Sequence, residues 1–108
     1  MDSPPTGSLE KVRALCLELS DVTETVSYGH PTWKVRRATF AVFEQYQGDW
    51  CVAILAEAAR QVQLIESDDR FYRTPYIGEQ GWVSFKLEGR IPWGRLGTLL
   101  REAHLLAS

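Results

Sequence analysis

The chain has little cysteine and little histidine: Cys16, Cys51, His30 and His104 are all that its 108 residues contain. No CxxC or His-rich spacing links them, which excludes a disulfide scaffold and a zinc ribbon; each cysteine reads as a small buried apolar residue. No metal or other cofactor is expected. An excess of charge of one sign is missing as well. Twelve Lys and Arg face 14 Asp and Glu, a net charge of −2, so broad affinity for nucleic acid through counterion release is excluded and any such site must be a local patch. Long apolar runs are absent, since "WCVAILA" from Trp50 falls well short of the roughly 20 residues that cross a bilayer. The start, "MDSPPTGSLE", lacks the basic and apolar regions of a signal peptide, and the expectation is a cytoplasmic protein with no membrane partner. Catalytic signatures are missing too. "GEQG" has no lysine and no strand-to-helix setting for a phosphate loop, "SYG" is no nucleophile elbow, and the adjacent Asp68 and Asp69 diverge. The chain reads as a non-enzymatic protein without catalytic residues.

What is present is an ordinary globular composition. With 44% hydrophobic and 24% charged residues, the chain can fold around a core without staples. Residues 1–7, with two prolines, a serine and a glycine, read as a flexible leader, and 8–108 as one domain. Ser8 is placed to cap a first helix whose apolar positions Leu9, Val12, Leu15, Cys16 and Leu19 recur at helical spacing. From Thr23 to Leu55 the period changes to that of strands, in "TETVSY", "TWKV", "TFAVFEQY" and "WCVAIL", with "RRA" and "QGD" as tight connections. Alternation puts Phe40 with Val42 on one face and Ala41 with Phe43 on the other; both faces are apolar, which predicts a covered sheet. A second helix from about Ala56 carries a stripe of Ala58, Val62 and Ile65 and turns Glu57, Arg60 and Gln61 outward. "GWVSFKLEG" alternates as a half-buried strand with Trp82 on its more polar side. Pro92 opens a third helix with core positions Leu96, Leu99, Leu100, Ala103 and Leu106, and His104 on its surface or in its last turn. The order α-β-β-β(β)-α-β-α predicts an α+β domain, an antiparallel sheet of four to five strands with helices packed on it.

Three stretches carry a family resemblance: the turn His30-Pro31 in "HPTWKV", the run Arg70-Phe71-Tyr72 leading to Pro75-Tyr76, and Gly81-Trp82-Val83 with Leu87-Glu88-Gly89. With the Trp-led last helix ending "LLREAHLL", the chain resembles the MmcQ/YjbR-like family from its first helix onward. The resemblance implies a small α+β fold of the double-wing DNA-binding type, with DNA as partner and no catalytic residues. Members are often described as basic, and this chain departs from that in being slightly acidic.

Two sets of side chains could carry binding. Lys34, Arg36 and Arg37 sit at a hairpin tip, where a wing would reach phosphates, although basic residues also guard exposed edges. Arg70 and Arg73 flank Phe71 and Tyr72 and could add phosphate contacts beside a stacking ring, unless Asp68 and Asp69 neutralise them. The alternative is a small-molecule or peptide cleft walled by Tyr28, His30, Trp33, Tyr72, Tyr76 and Trp82, and those rings could equally seal a corner of the core. A third reading is a protein-interaction adaptor anchored by exposed rings, on a monomer or weak homodimer.

Overall fold

The computed structural model describes residues 3–108, so Met1 and Asp2 of the expected leader lie outside the described residues. Within them, α1 (Ser8–Leu17) precedes a four-stranded meander of β1 (Val22–Ser27), β2 (His30–Val35), β3 (Ala38–Tyr46) and β4 (Asp49–Ile54). Then follow α2 (Ala58–Ser67), β5 (Phe71–Arg73), a 3₁₀ turn (Gly78–Gln80), β6 (Val83–Lys86) and α3 (Trp93–Ala107). One antiparallel sheet joins all six strands in the order β1-β2-β3-β4-β6-β5. The architecture is α+β as expected, with β5 the strand that the sequence concealed. At three residues it is too short to show a period, and only the pairs Phe71↔Phe85, Tyr72↔Ser84 and Arg73↔Val83 define it.

The meander turns follow from backbone conformation. Tyr28-Gly29 and Gln47-Gly48 each put both central residues at positive φ, at 52° and 82° and at 50° and 88°. That is the twist-matched geometry of two-residue hairpins. Arg36, at φ 58°, turns β2 into β3.

The helices pack on one face only. Phe40 meets His104 of α3 edge-on, Arg95 of α3 lies over Phe71, and Leu9 of α1 lies beside Phe43 and Trp50. The expected division of β3 fails at one point. The β2–β3 register slips between Trp33 and Lys34, so Ala41 opposes Trp33, Thr39 opposes Lys34, and Phe40 is the extra residue. A bulge breaks strict alternation, so Phe40, Ala41 and Phe43 all enter the helix-covered core. The opposite face carries Thr32, Val42, Glu44, Tyr46, Cys51, Ala53, Ser84 and Tyr72 by register, and no described helix lies over it, contrary to a sheet covered on both sides. Small side chains there, Cys51, Ala53 and Ser84, are buried by their larger neighbours rather than by a second layer.

Three helix expectations change. Ser8 is not a cap but the first residue of α1; the capping position is Gly7 at φ 74°, and the buried Ser8 Oγ has no partner. In α2, Gln61 and Leu64 face inward while Ala58 and Val62 are exposed. The cause is polar: Gln61 Nε2 donates to the carbonyls of Gly78 and Trp82, both at 2.7 Å, satisfying buried groups of a loop that cannot satisfy itself. Finally, α3 buries Leu96, Leu99, Leu100 and Ala103 as expected but leaves Leu106 exposed and buries His104. The His104 Nε2 lies 2.7 Å from the Ser20 carbonyl and ties the helix end to the α1–β1 turn.

Gly81 shows how tightly the loop seats on the connection between β4 and α2. At φ 100°, an added Cβ would lie 1.9 Å from the Ala56 carbonyl oxygen, whereas at Gly48, φ 88°, it would meet open space. Gly48→Ala should therefore cost about 1–2 kcal/mol, the left-handed penalty alone. Gly81→Ala should cost at least about 2 kcal/mol more, because backbone must move. Urea unfolding of both variants checks the difference; equal losses would contradict it.

Candidate functional site

The strand register assigns every expected binding residue to a place. One end of the sheet carries the Tyr28-Gly29 and Gln47-Gly48 turns; the other carries Arg36-Arg37, and the ends of β4 and β5 lie toward it. Arg36 and Arg37 are exposed, and no ion pair among the described residues engages them. Lys34, half-buried, belongs to the helix-free face opposite Thr39. These three form one surface.

Arg70 and Arg73 do not join it. The Arg70 guanidinium donates to the carbonyls of Lys86, Glu88 and Arg90 at 2.7, 3.1 and 3.1 Å and lies over the Phe85 ring. It is thereby committed to holding the chain after β6 in place. Arg73 is exposed and at the same end as Arg36. However, it pairs with Val83 on the helix side of β5, three strand spacings beyond β3, or roughly 15 Å away. Nor do Asp68 and Asp69 neutralise these two arginines through ion pairs. Asp68 binds Arg95 Nη1 at 3.0 Å and accepts the Arg70 backbone N–H at 2.9 Å.

The expected aromatic cleft is not assembled. Trp33 is fully buried in the helix-side core, its Nε1 donating to Glu24 at 3.0 Å, and Trp82 is buried. Tyr28 and Tyr76 are almost completely exposed, at 100% and 98%. They project from opposite ends of the sheet and from its two opposite edges, Tyr28 beyond β1 and Tyr76 beyond β5. Of the expected tyrosines and tryptophans, only Tyr72 faces the open side, where it lies beside Tyr46 with ring centroids 6.3 Å apart and Lys86 Nζ over it at 5.9 Å. Its hydroxyl donates to Cys51 Sγ at 3.3 Å; burial, then the thiol, pushes its pKa up. Nothing in the sequence singles out Tyr46, which ends a strand next to an ordinary turn. Only the register, Cys51↔Lys86 and Tyr72↔Ser84, reveals its neighbours.

A second place emerges on the helix side, at the end where His30 lies. Leu9, Pro31, Phe43 and Trp50 wall a groove of about 430 Å³, with His30 and Gln45 at its margin. Of the expected cleft residues, it contains His30 only. Trp50 and Phe43 are half and fully buried, and their rings pack at 5.7 Å; the buried Trp50 Nε1 has no partner. Alternation along "WCVAIL" marks Trp50 as a one-face residue, but nothing in that pattern marks a groove.

Titration follows burial. Desolvation raises the Cys16 thiol to about 12 and the Cys51 thiol to about 11, so both remain protonated at neutral pH. Glu24 is held below the ordinary carboxylate range, chiefly by its hydrogen bonds with Arg13. On the open face, burial raises the pKa of Glu44 while the charge of His30 works the other way. Among the described residues, no three His, Cys, Asp or Glu side chains converge on a point where a metal ion could sit. No described helix is long and apolar enough to cross a membrane.

A six-stranded antiparallel sheet with helices on one face and a basic hairpin at one end defines the class as a small α+β protein. The chain belongs to the YjbR family, whose model matches residues 17–106. Among solved structures it is similar to the crystal structure of Deinococcus radiodurans protein DR2400, of family-model domain DUF419. That similarity has a TM-score of 0.79 at 23% identity, covering 91% of this chain and 76% of the other, and it establishes the fold. No curated protein matches the chain.

The raised pKa of Glu44 carries a definite sign. A carboxyl whose folded value lies above its ordinary 4.5 adds stability below that value, and loses it as pH rises through the folded one. Glu44→Gln should therefore raise the thermal midpoint at about pH 8, with the gain vanishing below roughly pH 4. Midpoints measured across that range check it; a variant less stable at pH 8 would contradict the assignment.

Proposed function

We propose that this YjbR-family protein is a non-enzymatic nucleic-acid-binding module of the double-wing kind, with the β2–β3 hairpin as its contact element. The observation that carries the reading is the pair Arg36 and Arg37, exposed at a hairpin tip with no ion pair among the described residues engaging them, and with Lys34 on the same hairpin. Phosphate contacts from such a tip position a protein on its ligand. The overall charge of −2 restricts the contact to this patch and predicts modest affinity that is steep in salt. Tyr46 and Tyr72 with Lys86, on the open face of the same sheet, add rings and a cation of the kind on which unpaired bases stack. Both protonated, buried thiols are poor nucleophiles, which supports a binding role over a catalytic one.

The groove beside Trp50 favours a second reading, a site for a small apolar ligand. Its volume of about 430 Å³ falls within the size range of ligand pockets. Salt separates the two. In fluorescence anisotropy at about 50 mM salt, labelled duplex or single-stranded DNA should bind, weakening steeply as salt rises. Arg36→Gln with Arg37→Gln should lower affinity and flatten the log–log salt slope by about 0.9 for each duplex phosphate that is no longer neutralised. Absence of binding to either DNA at low salt overturns the nucleic-acid reading. A ligand in the groove would instead change tryptophan emission through Trp50, largely independent of salt.

A further inference from the structure

The two edges of the sheet are defended unequally. β5 is only three residues long, a short edge of the kind that limits pairing. At the other edge, β1 presents Val22–Ser27 with no lysine, no proline and no bulge; the irregularity of this sheet lies between β2 and β3. Its one charge, Glu24, does not guard it. Both carboxylate oxygens accept hydrogen bonds from Arg13, at 2.8 and 2.9 Å, and one also accepts from Trp33 Nε1, which draws the charge beneath the sheet.

The free backbone groups can be assigned. The Arg36 N–H donates to the Asp21 carbonyl, one step beyond Val22↔Val35 in the β1–β2 register. Hydrogen-bonded pairs alternate along an antiparallel ladder, so Thr23, Thr25 and Ser27 bond inward to β2. The tight Tyr28-Gly29 turn, which closes on Ser27 and His30, requires the same phase. Val22, Glu24 and Val26 therefore turn their N–H and C=O groups outward, and no loop hydrogen bond among the described residues engages them.

The residues concerned read the same in both directions: Val22-Thr23-Glu24-Thr25-Val26. We propose that a second copy of this chain pairs with β1 across a two-fold axis at Glu24, making one continuous sheet of two protomers. An antiparallel self-pairing centred there sets Val22 opposite the other copy's Val26, in both senses, and each Thr23 opposite a Thr25. It aligns all three outward residues at once, for up to about six backbone hydrogen bonds. Threonine pairs and β-branched pairs are favourable cross-strand neighbours. The two Glu24 residues meet at the axis, each already compensated by its own Arg13. Two otherwise unexplained exposures are accounted for: Val26 is 70% exposed, and Tyr28, fully exposed, lies where it would cover the other copy's Ser20–Asp21 turn.

Sedimentation of the full chain over about 10–500 µM tests the pairing, with dimer gaining over monomer as concentration rises. Val26→Pro deletes an outward N–H while sparing the inward ladder, and Val26→Lys places a guarding charge on the edge. Each should raise the dissociation constant by about tenfold or more, with unchanged far-UV circular dichroism. Should the proline variant unfold, the lysine variant decides. Amide exchange provides the residue-level check: Val22, Glu24 and Val26 should gain protection with concentration, while Thr23 and Thr25 are protected throughout. A chain that is monomeric at the highest concentration overturns the proposal, as does a dimer that survives both substitutions in folded protein.

Discussion

The carboxylate of Glu24 joins three elements that would otherwise have no common anchor. From β1 it accepts two hydrogen bonds from Arg13 of α1 and one from the indole of Trp33 in β2. Trp33 is among the largest fully buried side chains, and a buried indole N–H without an acceptor would be costly. The half-buried acid is in turn compensated by a bidentate guanidinium. The angle of α1 on the sheet, the depth of the Trp33 ring and the lack of free charge on β1 are thus one arrangement. The open edge is its by-product: the charge that would ordinarily guard an outer strand has been drawn inward.

The bulge at Phe40 decides which side of the sheet is the core. Without the extra residue, Phe40 and Phe43 would point to opposite faces, and one large ring would lie on the side that no helix covers. With it, both rings enter the same layer, where Phe40 packs against His104. The other face is then left to threonines, Ser84, Cys51 and Ala53, with Tyr46, Tyr72, Lys86 and Glu44 around them. Such a surface is polar enough to face water and flat enough to present side chains in fixed array. That division, rather than any single residue, sets the two sides of the sheet apart.

Much of this was legible in the chain. The helical spacing of Leu96, Leu99, Leu100 and Ala103, the turns at Gly48 and at Arg36-Arg37, and the alternation of Val83, Phe85 and Leu87 all follow from local geometry, and the structure keeps them. What was hidden depended on partners remote in sequence. Gln61 faces inward because the carbonyls of Gly78 and Trp82 need a donor, and nothing within α2 announces that need. Arg70 looks available in the sequence, whereas the carbonyls of Lys86, Glu88 and Arg90 take its guanidinium in the fold. The aromatic residues appear clustered because they are close in sequence, but the alternation and turns that place them send Trp33 inward and Tyr28 and Tyr76 to opposite ends. A register slip of one residue, invisible to period counting, reassigns Phe40.

The strand order also governs the path by which the fold is reached. Strands β1 to β4 are joined through Tyr28-Gly29, Arg36-Arg37 and Gln47-Gly48, so each finds its neighbour within a few residues. By contrast β4 must meet β6 across α2, β5 and the Gly78–Gln80 turn, where Ile54 pairs with Val83 and Cys51 with Lys86. Closing a longer loop carries a larger entropic cost before any contact rewards it. On contact order, the meander is expected to form first, with the edge of β4 bare until β6 pairs with it. During that interval the apolar run from Trp50 to Leu55 is the segment most open to mispairing. On that expectation, slower docking of β6 lengthens the exposure of this edge.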